Sequence, residues 1–261
     1  MQTALAELAR SAGRWLAGWW RIVHLAALLL AMALAPSTYT PLYRQALARH
    51  IVAGTAPALL WFTVLTTLIS LVLIRIVLVT ALSYGLTQYA LERVVRVLVL
   101  ELIPLTAALF AALRCTFPLA AGLAQLRARA EGSTPMGADA DSLRHEVLPR
   151  VSAGLFCALL LAAVSCVVTL VVAYLSVYGF TPSGFAAYTH TVGQVFNPAV
   201  SLIFGLKIVL LGATVALMPV AAVLDEAPRR RSGTSAELQG LVRMFLVILL
   251  IEAASLVGNY Y

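Results

Sequence analysis

The stretch of residues 151–206 contains no Lys, Arg, Asp or Glu. A water-soluble domain could not carry so long an uncharged stretch easily, because about a quarter of its residues are charged. An apolar segment of about 20 residues is long enough to cross a bilayer as one helix. The stretch therefore predicts two spans joined by a short connection. We expect a turn at 179–193, which is rich in Gly, Pro, Ser and Thr.

The composition of the whole chain supports a membrane protein. Of its 261 residues, 62% are hydrophobic and only 11% are charged, which is too little polar surface to coat a globule. The net charge of +7 is expected to lie in cytoplasmic loops and near anionic lipid headgroups. Nucleic-acid binding is not expected, because no basic patch interleaved with aromatic residues lies on a polar module.

The other apolar runs complete the transmembrane pattern. We predict an all-α integral membrane protein of about five transmembrane helices, preceded by an N-terminal amphipathic interfacial helix. The predicted spans are about 52–74, 97–113, 152–178, 200–224 and 241–260. The first apolar run continues past residue 74, and we expect this continuation to tilt along the far interface, with Arg75 reaching the headgroups.

Residues 1–36 differ from the rest of the chain, which we treat as one membrane domain over 37–261. Residues 2–23 combine several Trp and Leu residues with Glu and Arg, a pattern typical of a helix that lies in the membrane interface. The purely apolar segment 25–35 is shorter than a span and is followed by Pro36. It is interfacial or re-entrant in our interpretation, and a full span is the alternative.

The distribution of arginine predicts the orientation of the chain. Segments 114–150 and 225–243 are rich in arginine, whereas the connection at 179–193 and the tail after Arg243 contain none. Basic loops stay in the cytoplasm. We therefore expect the N-terminus inside and the C-terminus outside.

Motifs for catalysis, metals and cofactors are absent from the sequence. No P-loop of the form GxxxxGK[ST] occurs, so the chain is not expected to hydrolyse ATP. The three cysteines form no CxxC pair and the four histidines are scattered. We expect no catalytic residue, no cofactor, no metal site and no disulfide.

Three charged residues lie well inside predicted spans, namely Glu101, Lys207 and Glu252, whereas Arg243 lies at the start of the last span. A charged side chain at the bilayer centre costs about 2.5 to 3.5 kcal/mol on insertion scales, so each should be paired, protonated or facing water. We predict that Glu101 pairs with Lys207 and that Glu252 is a third member. Pro104, three residues after Glu101, predicts a kink of the kind that membrane helices tolerate. A proton relay is not favoured, because no chain of histidines accompanies the carboxylates.

Several segments resemble one family of permeases. The sequence ELIPLTAALFAALR (101–114) resembles the motif ELGPVLTALLVAGR of the MlaE/YrbE-type permeases, and VLPR (147–150) follows at the interval found in that family. Segments 43–60, 204–217 and 247–256 resemble further family segments in the same order. The chain is thereby similar to these permeases from about residue 40 to its end.

The resemblance implies a function. A permease of this type is the membrane subunit of an ABC system of the bacterial inner membrane. It would dimerise with itself or with a paralogue, and would bind an ABC ATPase subunit and an MCE-domain (MlaD-like) protein. Its substrate would be a phospholipid moved between inner and outer membrane, which maintains outer-membrane lipid asymmetry. Glu101, Lys207, Glu252 and Pro104 would then line or border the lipid cavity.

The resemblance is weakest in the segment 120–150, which corresponds to the cytoplasmic element that couples the permease to the ATPase. The family sequence AAELGTMKVTEQIDAL is replaced by AAGLAQLRARAEGSTP (120–135). We expect a shortened coupling helix that ends before Gly132 and contacts the ATPase. The expected contact residues are Leu123, Arg127, Arg129 and Glu131.

These departures leave two other interpretations open. The chain is a divergent member whose decayed coupling segment is also compatible with a non-transporting scaffold that pairs with a competent paralogue. An unrelated secondary transporter is the second alternative, and it would require inverted repeats.

Overall fold

The computed structural model describes residues 2–35, 41–84, 92, 95–129, 143–224 and 233–260, and the regular elements in this part of the chain are helices. Five of these helices are long and apolar enough to cross a membrane, and they contain the segments Tyr43–Ala81, Val95–Leu126, Leu143–Tyr178, Pro198–Leu224 and Gly240–Gly258. The predicted all-α, five-span membrane fold is thereby confirmed. The helices are α1 (Gln2–Leu34), α2 (Pro41–Ser83), α3 (from Val95 to Arg129), α4 (Leu143–Tyr178), α5 (Phe185–Val195), α6 (Pro198–Leu224) and α7 (Gly233–Tyr260).

Helix α2 is longer than its predicted span. It runs without a break through 43 residues, which corresponds to about 65 Å at 1.5 Å per residue. The hydrocarbon core of a bilayer is only about 30 Å thick. Ile74 and Arg75 lie inside the same helix, so the continuation after residue 74 is not a separate element, and its tilt along the far interface stays a prediction. Arg75 is exposed, whereas Ile74 is fully buried.

Helix α3 is the most deeply buried of the five. Within its apolar part, Val95–Leu126, 56% of the most apolar window is buried, compared with 22% for α2 and 17% for α7. Its backbone alternates between wide π-helical turns at Val95–Leu102 and Ala112–Thr116 and α-helical turns at Ile103–Ala111 and Phe117–Arg129. The predicted span 97–113 covers only part of this helix.

The connection at 179–193 is not a simple turn, and that expectation is corrected here. After a 3₁₀ turn at Pro182–Gly184, the chain forms the short helix α5. Tyr188 and Val195 of α5 are buried among apolar residues of α2, α3 and α4. The Tyr188 hydroxyl donates a hydrogen bond to the carbonyl oxygen of Leu170 at 2.7 Å. This packing orders a segment whose composition is typical of turns.

Helix α1 is one continuous helix through Leu34, so no re-entrant reversal occurs within its described length. Its apolar part, Gly18–Leu34, is shorter than the helices that qualify as spans. Leu29 is buried in a cluster that includes Leu148 of α4 and Val220 of α6. The second half of α1 therefore packs on the bundle. The interfacial position of its first half stays a prediction, because those side chains lie outside the described residues.

Helices α4 and α6 approach closely through glycines. A Cβ atom at Gly154 of α4 would lie 3.4 Å from Cβ of Ala216 on α6, and one at Gly212 of α6 would lie 3.0 Å from Cδ1 of Leu155 on α4. Small residues allow membrane helices to pack through backbone contact, where the hydrophobic effect supplies little driving force. Ser70 and Thr169 add a buried hydroxyl contact of 2.8 Å between α2 and α4.

The expectation of no disulfide is wrong. Cys115 of α3 and Cys157 of α4 are joined by a disulfide, with Cα atoms 6.8 Å apart. Both residues are buried. They are separated by 42 positions and form no spacing motif, so only the packing of α3 against α4 brings them together. The third cysteine, Cys166, is free.

Candidate functional site

Charged residues from three helices meet inside the bundle. Lys207 of α6 forms ion pairs with Glu101 of α3 and Glu252 of α7, and its Nζ lies 2.6 Å from Oε2 of Glu252. The lysine side chain is 1% exposed, whereas those of Glu101 and Glu252 are 14% and 15% exposed. We call these three residues the charge cluster. The lysine is thus the most buried member of the cluster, and the two glutamate side chains are only slightly more exposed.

The ammonium group of Lys207 uses all of its donors. A lysine ammonium has three N–H groups, and three acceptors surround Nζ: the two carboxylates and the carbonyl oxygen of Leu100 at 3.1 Å. With both carboxylates ionised, the charge cluster carries a net charge of −1. Within the described part of the chain, no donor reaches Oε1 of Glu252.

The charge cluster lies near one end of the bundle. Glu101 is six residues after Val95, Lys207 nine after Pro198, and Glu252 six before Gly258. At 1.5 Å per residue, these positions are about 9, 14 and 9 Å from the nearest ends of their apolar segments. Helix α5 connects α4 to α6 at this same end. In the predicted orientation, this end faces outward.

Pro104 lies beside the charge cluster in a position that suits a proline. The π-helical turns end at Leu102, and Pro104 lies in the first turn of the α-helical segment that follows. An N–H group at position 104 would bond only to a carbonyl in the preceding wide turns, so the α-helical turns that follow keep their own hydrogen bonds despite the proline. Pro104 is itself buried. The local sequence thus explains how α3 changes from wide to regular turns one residue after Glu101.

One of the expected ATPase-contact residues is buried in the chain's own core, and the side chains of the other three lie outside the described residues. Leu123 is fully buried against the chain's own Leu143, Val147 and Val220. The prediction that Leu123 contacts an ATPase is therefore wrong, because its side chain is not accessible to a partner. Arg127 and Arg129 lie in the last turns of α3, but their side chains are outside the described residues. Glu131 and the predicted helix end before Gly132 also lie outside the described residues.

The far end of this segment re-enters the bundle through another wide turn. Leu143–Val147 is π-helical and continues into α4. Within it, Glu146 Oε2 accepts a hydrogen bond from Arg150 Nη1 at 2.7 Å. The buried contacts of Leu123 with Leu143 and Val147 hold the end of α3 against the start of α4.

Five apolar helices around a buried charge cluster define a multi-pass membrane protein. The family model for Permease MlaE matches residues 47–257, which is most of the chain, and the protein therefore belongs to the MlaE permease family. This confirms the resemblance seen in the sequence. The family consists of membrane subunits of ABC transporters, in which a separate subunit hydrolyses ATP. Among curated proteins, no match is found.

Proposed function

We propose that the protein is the permease subunit of an ABC-type transporter of the inner membrane that moves phospholipids between inner and outer membrane and so maintains outer-membrane lipid asymmetry. The observation that carries the proposal is the family match over residues 47–257. The apolar character of the bundle supports it, because a lipid path needs few polar groups, whereas a path for sugars or amino acids needs more.

In this proposal the charge cluster borders the lipid path. The supporting observation is the difference in exposure between Lys207, which is 1% exposed, and Glu101 and Glu252, which are 14% and 15% exposed. Partly exposed glutamate side chains near one end of the bundle are placed to meet a polar lipid headgroup. Pro104 is proposed to belong to the same path through its position one turn from Glu101.

The proposed partners follow from the family. An ABC ATPase would bind at the end of α3 that carries Arg127, Arg129 and Glu131, and an MCE-domain protein would bind at the opposite end. A second copy of the chain, or a paralogue, would complete the transporter. The mostly exposed apolar sides of α2 and α7 are available for lipid or for this second subunit. No role for nucleic acid is proposed.

Transport in a reconstituted system tests the proposal. The chain is co-purified with its ATPase and MCE-domain protein, and ATP-dependent transfer of a fluorescent phospholipid from proteoliposomes is measured. We expect Glu101→Gln to slow transfer about tenfold or more, because a hydrogen bond to a charged group is worth about 1.5 to 3 kcal/mol. Lys207 would keep Glu252 as its counterion in this variant.

The matched control is Glu92→Gln. Glu92 also pairs with a cation, Arg96, at 3.3 Å, but as a more exposed pair within one segment. This variant should transfer lipid at the wild-type rate, since exposed ion pairs contribute little. Equal transfer rates for wild type and Glu101→Gln would show that the charge cluster does not take part in the lipid path. Absence of ATP-dependent transfer by the wild-type complex would contradict the transport function.

The scaffold function remains a second proposal, supported by one observation. Gly122 and Pro135 stand where the family has an acidic residue and a helix interior, and proline disrupts a helix interior. A scaffold would co-purify with a competent paralogue and would not bind an ATPase by itself. The secondary-transporter alternative receives no support from the family match.

A further inference from the structure

Pro104 removes a hydrogen bond from α3, and a residue on another helix replaces it. With the α-helical spacing that begins after Leu102, an N–H at position 104 would donate to the carbonyl of Leu100, four residues earlier, but proline has no N–H. Lys207 Nζ donates a hydrogen bond to this same carbonyl oxygen at 3.1 Å. Lys207 thus donates to the carbonyl oxygen that lacks a backbone donor because residue 104 is proline.

The surroundings of Leu100 explain why a replacement is needed. Leu100 is 1% exposed and lies among the apolar residues of the outer end of the bundle. A carbonyl without a donor in such surroundings is costly, because water does not reach it. Membrane helices tolerate proline where neighbouring groups satisfy the freed backbone atoms. Here the neighbouring group is a buried ammonium that also pairs with Glu101 and Glu252.

We propose that Lys207 is a positioning residue that supplies to α3 the hydrogen bond lost at Pro104 and thereby fixes the wide turns that carry Glu101. The proposal deepens the proposed function, since Glu101 borders the lipid path there. Pro104 and Lys207 then act as one unit. The proline leaves the Leu100 carbonyl without a backbone donor, and the lysine donates to that carbonyl while its other two N–H groups bond to the carboxylates.

A double-mutant cycle between Pro104 and Lys207 tests this link. Pro104→Ala restores an N–H that can reach the Leu100 carbonyl from within α3. We therefore expect Pro104→Ala to raise the unfolding midpoint more in Lys207→Met than in the wild type. The excess should be about 2 to 4 °C, the shift that one hydrogen bond gives in a chain of this size. The midpoint is measured by tryptophan fluorescence of the purified full chain.

The control is a proline elsewhere in the bundle. Pro57 lies inside α2, and the carbonyl four residues before it, at Ala53, has no described contact with Lys207. Pro57→Ala should have the same effect with and without Lys207→Met. Strict additivity for Pro104 and Lys207, or an equal excess for Pro57, would overturn the proposal. Where Lys207→Met does not fold, the comparison uses Lys207→Met/Glu101→Gln/Glu252→Gln, which leaves no unpaired charge.

A second measurement separates positioning from simple stabilisation. Val97 and Leu113 are exposed residues of α3 on either side of Pro104, and spin labels at both report the bend of this helix. We expect Lys207→Met to broaden the distance distribution and Lys207→Met/Pro104→Ala to narrow it again. An unchanged distribution in Lys207→Met would overturn the positioning role. Neither measurement uses lipid transfer, so the outcome is independent of the proposed transport function.

Discussion

Single residues at the charge-cluster end of the bundle show how packing changes their chemistry. Tyr188 combines a buried ring with a hydroxyl that donates to the Leu170 carbonyl. Its ring also meets those of Tyr174 and Tyr178 edge to face, a favourable arrangement for aromatic pairs. Burial raises the pKa of Tyr188 to about 12, with nearby Cys166 and Tyr178 contributing further.

This raised pKa predicts a loss of stability at alkaline pH. The neutral phenol is favoured in the folded state, so its contribution is fully present below about pH 10, the ordinary pKa of tyrosine. It is lost as the pH rises through about 12. We expect Tyr188→Phe to remove one ionisation near pH 12 from an absorbance titration at the tyrosinate band. It should also weaken the dependence of the unfolding midpoint on pH between these two values. An unchanged titration curve would show that Tyr188 ionises with the ordinary tyrosines.

At the scale of the helices, the contact between α4 and α6 depends on the absence of side chains. A Cβ at Gly154 would lie 2.8 Å from Cγ2 of Thr116 on α3 and 3.4 Å from Cβ of Ala216 on α6. Thr116 and Ala216 are both buried, so neither can move toward solvent. The glycine therefore sets the distance among three helices.

Two glycine-to-alanine changes should act in opposite directions. Gly154→Ala is expected to destabilise the protein by about 1 to 3 kcal/mol, the usual cost of overpacking a core. Gly205→Ala on α6 has open space around the new Cβ and should stabilise by about 0.4 to 1 kcal/mol, because it restricts the unfolded chain. The comparison is made by unfolding both full-length variants in detergent. Similar effects of the two changes would contradict the close packing at Gly154.

The helices also show which features a sequence can predict. Long apolar runs indicated all five spans, because chain length in a bilayer limits the choice of structure. Helix α5 was missed, because its Gly, Pro, Ser and Thr neighbours favour turns. Its residues are buried only through packing against other helices, such as α3 and α4, and the local sequence does not show this packing. The disulfide between Cys115 and Cys157 was missed for a similar reason, since helix packing and not spacing aligns the two residues.

The charge cluster was predictable in part. Charged residues within apolar spans need partners, and this requirement pointed to Glu101, Lys207 and Glu252 together. The Leu100 carbonyl was missed, because a backbone acceptor does not appear as a residue type. One signal could have found it: a proline inside a predicted helix leaves the carbonyl four residues earlier without its donor. Burial of Leu123 in the chain's own core also escaped prediction, since apolar docking residues and apolar core residues look alike in sequence.

For the molecule as a whole, α3 connects two functional regions of the proposed transporter. Glu101 lies near its start, and Arg127 and Arg129 lie in its last described turns. Residues 101 to 129 of one continuous helix span about 42 Å at 1.5 Å per residue. The proposed ATPase contact and the charge cluster are therefore parts of the same secondary-structure element.

Charge reversal at the end of α3 that carries Arg127 and Arg129 distinguishes the two proposed functions. A transporter needs an ATPase contact there, and two arginines would require an acidic partner surface. We expect the ATPase to co-purify with the wild type and at least about tenfold less with Arg127→Glu/Arg129→Glu, since reversed charges repel across an interface. The control is Arg75→Glu, an exposed arginine of α2 outside the coupling segment. If no ATPase binds the wild type, the scaffold function is favoured. If the ATPase binds the charge-reversed variant equally well, Arg127 and Arg129 do not form the proposed ATPase contact.

The unit formed by Pro104 and Lys207 has a consequence for the divergence of the family. In a lineage that loses the proline, a backbone N–H can again donate to the Leu100 carbonyl. The cation at position 207 is then no longer needed for this hydrogen bond. A lineage that loses the lysine first would leave a carbonyl and two carboxylates unsatisfied. The two positions should therefore covary. In this chain, Ile103 and Leu113 replace glycines of the family motif, yet the proline and the lysine both remain.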